Sequence, residues 1–544
     1  MPIPMTMEPR SWNVRGDALR VDALADSLVL RLLSAMGASG ALVGGAALSS
    51  MGTSSLPALK SYLLGQQYYR RGNTDSSRLA FESAVATDSL FALGWRGIAS
   101  TYIRTGREGT PEAQAALDRA IRLRRGGSPR DSLLLHGDAL RLAVVRRASA
   151  ANDALADVPD LTALLRTLRE AVARYPTDAE LWMELGDADF HFGELAGVSL
   201  ETVLQDFSHA IALDSMVLVP YAHAYTAALR LGKLGEAATL ARGVMRLSSA
   251  ERAPYFELQV ALLDSAPAIS TAARRLLDSL PAGNVAFSLQ ELASSPQATA
   301  LTLAVAEQQR VPLSQNPALP DSAGLARVVL LAQALRGKRV ATPQLLQFGD
   351  RTQLALIGLL PVDAVAQEAR AIIARQPASA GSALGLLASI RDTASLLLVL
   401  PAFDSLDVAA RAQGGERRAF VGRIARAFVA LARADSASAL RDFLAVPMSN
   451  CGGAPNAALV TSRLLASAGR DGDAARVLDR ALPNVVTQLS PPMLMQERAL
   501  VAERMGDRAK AREWYTRIVA QWADGDTPVH AVRDAAKASL TRLR

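Results

Sequence analysis

The residues best suited to chemistry in this 544-residue chain are one cysteine, Cys451, and five histidines. A cysteine nucleophile needs a neighbouring base and a group that orients that base. Cys451 lies in the stretch SNCGGAPN, and no histidine is close to it along the sequence. The single thiol cannot form an internal disulfide. We therefore interpret Cys451 as a spectator thiol, and a histidine brought near it by folding would change that interpretation.

A metal site is the second chemistry to weigh, because His191 and Glu194 can share one face of a helix and His209 or His223 could add a third ligand. Zinc needs three or four converging ligands. Two candidate ligands at helical spacing are more common as packing or surface residues. The sequence therefore predicts no metal and no cofactor. The Asp-Gly-Asp triplets at 471–473 and 524–526 are typical of turns, since the further ligands of a calcium loop are missing.

Catalytic signatures with specific spacing are missing from the sequence. A kinase needs a Gly-rich loop, a strand lysine and the H-R-D and D-F-G motifs. The only similar triplet, 136–138, reads HGD and lies in a helical pattern. Phosphate-binding G-x-x-x-x-G-K-[ST] and dinucleotide-binding G-x-G-x-x-G motifs are missing too. The sequence thus predicts a protein that is not an enzyme, and Cys451 or a histidine remains the candidate if it is one.

Charge gives no sign of a nucleic-acid partner. The 59 basic and 52 acidic residues leave a net charge of +7, and only five of the basic residues are lysines. A nucleic-acid binder should concentrate its positive charge on one face. The longest basic cluster, Arg122, Arg124, Arg125 and Arg130, stands beside a predicted turn. We interpret it as a solvated helix end and predict no nucleic-acid partner.

The elements that would position any site are helices in pairs. Residues 61–90 read SYLLGQQYYRRGNTDSSRLAFESAVATDSL, which predicts helices over 57–70 and 74–86 with a short polar turn between them. Gly65 is small where the second helix must come close, and Phe81 fills the space between the two. One such pair cannot bury its apolar face alone, so neighbouring pairs must stack.

The same spacing returns along the chain. It is carried by these residues: Trp95, Ile98, Ala99 and Tyr102; Trp182, Leu185 and Gly186 with Phe207 and Ala210; Tyr221, Ala224, Gly232 and Ala237; Gly469, Ala474 and Leu478; Gly506, Ala511 and Tyr515. The pattern resembles the tetratricopeptide repeat, whose signature W-x2-L-G-x2-Y…A-x3-F…P recurs about every 34 residues. The signature fades between 251 and 450, while paired apolar helices continue.

This resemblance implies an all-α fold, a right-handed superhelical solenoid of antiparallel helix hairpins that is degenerate in the middle. We predict four segments: an N-terminal helix and Gly-rich connector (1–56), an N-terminal repeat array (57–250), degenerate hairpins (251–450) and a C-terminal pair of repeats (451–544). The last of these should end in a capping helix over 528–544 with a polar outer face.

A further resemblance concerns the N-terminal region. The stretch ALADSLVLRLLSAMG, followed by a linker and SSLPALKSYLLGQQYY, is similar to the region behind the TolB-like domain of bacterial serine/threonine kinases and transcriptional regulators. It implies that the chain is the sensory or regulatory arm of such a regulator. The uncharged run at 32–48 is short and Gly-rich for a membrane span, so no stable span is predicted. We expect a cytoplasmic protein, or an extracytoplasmic one if it is a sensor arm.

A solenoid of helix hairpins offers a concave face lined by the first helix of each unit. Helical register places eight candidate partner-binding residues there: Tyr62, Gln66, Tyr69, Arg96, Ser100, Met183, Asp187 and Phe190. Aromatic residues and arginine are favoured anchors for a protein or peptide partner. The Lys/Asn carboxylate clamp of the chaperone-binding members is not matched, because Tyr62, Gln66, Arg96 and Ser100 stand there. The sequence names neither the partner nor the oligomeric state.

Overall fold

The computed structural model describes residues 52–543, with gaps at 54, 106, 108–109, 124–127, 151–158, 197, 249–252, 266–268, 293–319, 413–419, 447–454 and 482–490. Within these residues the regular structure is helical and contains no strand, as predicted. The predicted N-terminal helix and the loop around Cys451 lie outside the described residues. No helix in the described part of the chain is long and apolar enough to cross a membrane.

The helices are numbered here in chain order. They are α1 (Leu56–Arg70), α2 (Thr74–Thr87), α3 (Ala92–Arg104), α4 (Pro111–Leu123), α5 (Pro129–Ala150), α6 (Pro159–Arg174), α7 (Ala179–Phe192), α8 (Leu200–Leu213), α9 (Leu218–Arg230), α10 (Leu234–Leu247), α11 (Ala253–Ser265), α12 (Thr271–Ser279), α13 (Ala282–Leu292), α14 (Pro320–Leu335), α15 (Phe348–Leu356), α16 (Val362–Arg375), α17 (Leu384–Ser389), α18 (Thr393–Ala412), α19 (Val421–Ala432), α20 (Ser436–Leu444), α21 (Pro455–Ser467), α22 (Asp471–Ala481), α23 (Pro491–Arg504), α24 (Arg508–Gln521) and α25 (Thr527–Arg542).

The described residues divide into two compact units. One contains the residues up to Leu142 together with Thr167–Pro176, and the other contains Ala143–Arg166 and the residues from Thr177 onward. The four segments predicted from the sequence were divided by how well each matches the repeat signature, and these two units are not divided in that way. The boundaries of the four segments therefore stay predictions.

The first hairpin shows why the repeat needs its small and aromatic residues. Helices α1 and α2 match the predicted spans to within one residue at each end. A Cβ atom on Gly65 would come within 2.6 Å of the Phe81 ring, so only glycine allows this approach. Phe81 is 1% exposed and forms the centre of the interface between the helices. The same pairing recurs in the second unit, where a Cβ on Gly186 would lie 2.8 Å from the Phe207 ring.

A single turn geometry joins the helices of most hairpins. Gly72 and Gly232 have φ angles of 73° and 72°, and Gly469 and Gly506 adopt the same conformation. This left-handed region is open to glycine without steric cost. The next residue often caps the following helix, as Asn73 does by accepting a hydrogen bond from the Ser76 backbone N–H.

The degenerate middle keeps this turn, and two of its turns have a residue other than glycine. Ala434 joins α19 to α20 with φ 61°, and Arg391 joins α17 to α18 with φ 58°. The carboxylates of Asp435 and Asp392 then cap the next helices. The hairpins predicted for this region are therefore confirmed for α19 and α20, whose Phe428 and Phe443 rings lie 5.1 Å apart. Helix hairpins thus continue where the signature fades.

Replacing Ala434 with glycine should therefore stabilise the protein. A non-glycine residue in the left-handed region costs about 1–2 kcal/mol, partly offset by the greater unfolded-state entropy of glycine. We expect a gain of about 0.5–1 kcal/mol in the free energy of unfolding, measured by urea denaturation. Ala437→Gly, in the first turn of α20, should lower stability instead. An Ala434→Gly variant no more stable than wild type would contradict this account of the turn.

The end of the chain forms the predicted helix, α25, and also a contact that the repeat pattern does not predict. The indole Nε1–H of Trp522 donates to the Leu335 carbonyl oxygen at 3.1 Å, and the amide of Gln521 donates to the same oxygen at 3.0 Å. The Asp526 backbone N–H donates to the Gly337 carbonyl oxygen at 2.9 Å. In a strictly linear array each repeat contacts only its neighbours. Here the connection between α24 and α25 contacts the C-terminal end of α14 and the turn after it.

Candidate partner-binding surface

In the first unit, the predicted surface residues of α1 form an ordered aromatic group. The Tyr62 ring lies 5.5 Å from that of Phe81 and 5.0 Å from that of Phe91. Its hydroxyl accepts a hydrogen bond from the Gln66 amide at 2.8 Å. Tyr69 lies one turn further along, with the Arg104 guanidinium 4.1 Å from its ring centroid. Tyr62, Gln66 and Tyr69 are all half-buried, so each keeps part of its side chain open to solvent.

Arg96 and Ser100 of α3 are placed differently. Arg96 is 4% exposed, and its Nε donates to the Asp138 Oδ2 at 2.6 Å. Asp138 itself is 6% exposed, and Ser100, at 8%, donates to the Arg96 carbonyl oxygen. This buried ion pair joins α3 to α5 and leaves little of either α3 side chain for a partner. It also explains the HGD triplet, because its aspartate neutralises Arg96.

In the second unit, the predicted residues belong to α7. Met183 is 7% exposed and lies in the core, whereas Asp187 and Phe190 are half-buried. Asp187 faces two histidines: its Oδ1 lies 3.6 Å from His191 Nε2 and 3.3 Å from His223 Nδ1. Helical register alone does not predict His223, which comes from α9.

The remaining histidines are elsewhere. His209 stacks on Trp182 with ring centroids 4.5 Å apart, and its Nδ1 lies 2.9 Å from the Gln205 carbonyl oxygen. His530 contacts the Gly525 carbonyl oxygen at 2.8 Å. His136 is exposed. The turn predicted at 471–473 is wrong, because these residues begin α22, whereas 524–526 precede α25 as a turn. Asp471 forms an ion pair with Arg504, and Asp524 forms one with Arg336.

A largely buried group of ionisable side chains, Glu291, Tyr225 and Tyr255, interacts with Arg230 at the end of α9. Burial raises the pKa of Glu291, and the nearby Arg230 guanidinium partly opposes that rise. Burial also raises the pKa of Tyr225 and Tyr255, and the Glu291 carboxylate adds to both effects. The Arg230 guanidinium reaches back toward α7 and lies 5.5 Å from the Phe190 ring centroid. The positive charge of Arg230 thus interacts with the Glu291 carboxylate on α13.

The hairpin geometry agrees with the repeat signature. A small residue of the first helix faces a ring of the second in the pairs Gly65–Phe81 and Gly186–Phe207. These are the L-G and F positions of the signature. In the first of these hairpins a left-handed glycine, Gly72, follows the first helix. These hairpins therefore have a tetratricopeptide-like geometry.

No protein-family model and no curated protein matches the sequence. Similar solved structures include the Cut9–Hcn1 hetero-tetramer of the APC/C, 11% identical, covering 89% of this chain and 84% of that chain with a TM-score of 0.27. The TPR domain of P58(IPK) is 13% identical, covering 76% and 99% with a TM-score of 0.21. Yeast Tom70 is 10% identical, covering 89% and 96% with a TM-score of 0.23. At such scores the repeat assignment depends on the hairpin geometry alone.

Proposed function

We propose that this protein is a non-catalytic scaffold that binds a protein or peptide partner on the first-helix faces of its repeats. The observation that carries the proposal is the aromatic group of α1. Tyr62, Gln66 and Tyr69 are held in place by Phe81, Phe91 and Arg104 while part of each side chain stays in solvent. Asp187 and Phe190 are the corresponding half-buried candidates in the second unit.

Ordered aromatic side chains favour binding for two reasons. A tyrosine contributes a large apolar area and a polar hydroxyl, and it has few torsions to immobilise. The contacts of Tyr62 with Gln66, Phe81 and Phe91 fix its rotamer before a partner arrives. The entropy lost on binding is therefore smaller than for a mobile side chain. Arg96 and Ser100 are buried in the first unit and Met183 is buried in the second, so each would support its own unit from within rather than touch the partner.

The binding role needs no catalytic group. Asp138, the residue nearest to a catalytic motif, is committed to Arg96. The specific signatures of kinases, nucleotide-binding loops and serine hydrolases are missing from the sequence. We infer no enzymatic activity, and binding on the α1 surface requires no cofactor.

The Tyr69→Ala variant tests the proposal. A partner captured from source cells on the full-length chain is identified by mass spectrometry and purified, and its Kd is then measured. Central aromatic anchors contribute about 2 kcal/mol or more on truncation, so the Kd should rise by at least about tenfold. The matched control is Glu82→Ala, an exposed position on α2. Equal affinities for both variants would contradict binding on the α1 surface.

A further inference from the structure

Three side chains with metal-binding atoms meet between the first helices of consecutive repeats in the second unit. Asp187 and His191 are four residues apart on α7, so they occupy one face of that helix. His223 reaches them from α9. One ligand atom from each of the three lies within 4.8 Å of the others.

The separations suit a tetrahedral ion. Zinc lies about 2.0–2.1 Å from histidine nitrogen and about 2.0–2.2 Å from carboxylate oxygen, which places two tetrahedral ligand atoms about 3.3–3.5 Å apart. The observed distances from Asp187 Oδ1 are 3.3 Å to His223 Nδ1 and 3.6 Å to His191 Nε2. Small side-chain rotations would be enough to bring the three atoms around one ion.

The surroundings hold the ligands in place. The His223 ring stacks on Phe190, with centroids 4.5 Å apart and an interplanar angle of 24°, and lies 5.5 Å from Phe207. The His191 ring meets Phe190 edge-on at 5.1 Å. A ligand held in one rotamer loses little freedom when it binds an ion. The His191 side chain is 42% exposed, so an ion can reach the group from solvent.

The charge balance also favours a cation. Asp187 supplies one negative charge between two imidazoles that bind metals in their neutral form. The Arg230 guanidinium lies 5.5 Å from the ring centroid of Phe190, the ring that packs against both histidines. Glu291 on α13 interacts with that guanidinium and offsets its charge.

We propose that Asp187, His191 and His223 bind one divalent transition-metal ion, with Zn²⁺ the best fit. Two imidazoles and a carboxylate without a thiolate suit zinc, which is most often bound tetrahedrally by nitrogen and oxygen ligands of this kind. The ion would join α7 to α9 and keep one position for water. This inference goes beyond the proposed function and needs no partner, and it concerns the second unit rather than the α1 surface.

The test is titration of the metal-free, full-length protein with ZnCl₂ in an isothermal calorimeter. We expect one equivalent of zinc to bind and the thermal midpoint to rise with zinc, because an ion that binds only the folded state stabilises it. The same protein loaded with Co²⁺ should show the visible absorption bands of a tetrahedral site. His191→Ala should weaken zinc binding more than about tenfold, since one of three ligands is lost.

Matched controls separate this site from other metal ligands. His209→Ala removes a histidine of the same repeat that stacks on Trp182. Cys451→Ala removes the single thiol. Both variants should bind zinc as wild type does. Asp187→Asn keeps the side-chain shape and removes the charge. This variant replaces His191→Ala in the zinc titration if the alanine variant does not fold. The proposal is overturned if wild type binds no stoichiometric zinc, or if His191→Ala and Asp187→Asn both bind it unchanged.

Discussion

Replacing Asp138 with alanine should lower the free energy of unfolding by about 3–5 kcal/mol, because it removes the carboxylate to which the buried Arg96 guanidinium donates. Arg96 is 4% exposed and Asp138 is 6% exposed, and the two atoms of their hydrogen bond are 2.6 Å apart. Water cannot solvate the remaining charge at that depth without opening the packing between α3 and α5. The loss should appear in urea denaturation followed by circular dichroism.

The control for this effect removes both charges. An Arg96→Met, Asp138→Leu double variant leaves no uncompensated charge, so it should recover most of the lost stability. Asp118→Ala, at an exposed position on α4, should change stability by less than about 0.5 kcal/mol. If Asp138→Ala were as stable as Asp118→Ala, the ion pair would not be the buried element that joins these helices.

Trp522→Ala should destabilise the second unit by a similar amount, about 3–5 kcal/mol. Trp522 is 1% exposed and donates to the Leu335 carbonyl oxygen, 187 residues away along the chain. A Cβ at Gly337 would lie 3.2 Å from the indole, so the ring lies close to the turn after α14. Losing the ring opens a cavity between the last hairpin and the C-terminal end of α14. Hydrogen exchange should rise in both segments together.

Two further variants define the cause of that loss. Trp522→Phe keeps a six-membered ring but removes the N–H donor and part of the buried indole, while Gln521 still donates to the same carbonyl oxygen. Its cost should be smaller than that of Trp522→Ala, because less buried volume is lost. Trp182→Ala removes a half-buried tryptophan that stacks on an exposed histidine, and it should cost less than Trp522→Ala. Exchange confined to the last hairpin in Trp522→Ala would contradict the long-range contact.

The sequence predicted the hairpins well because their determinants are local. The spacing of Gly65 and Phe81 and the polar turn at Gly72 lie within one repeat, and α1 and α2 follow the predicted spans. The long-range contact of Trp522 was not predictable in the same way. A period of about 34 residues describes how each repeat meets the next one, and it carries no information about a contact over 187 residues.

The candidate surface was predictable only in part. Helical register placed Arg96 on the open face together with Tyr62. In the structure Arg96 is buried and donates to the Asp138 carboxylate, which belongs to another repeat 42 residues further along the chain. The spacing of Asp187 and His191 is visible in the sequence, whereas the approach of His223 depends on how α9 packs beside α7. The sequence shows which side chains share one face of a helix. Which side chains of different helices meet can be seen only when the packing of those helices is known.

The most direct test of the scaffold account is site-specific photocrosslinking in source cells. A photoreactive phenylalanine derivative replaces Tyr62 or Tyr69 on the α1 surface, or Glu82 or Ala86, which are exposed on α2. The account predicts that the two α1 positions crosslink to one and the same protein and that the α2 positions do not. Crosslinks from the α2 positions alone, or none from Tyr62 and Tyr69, would contradict partner binding on the first-helix face.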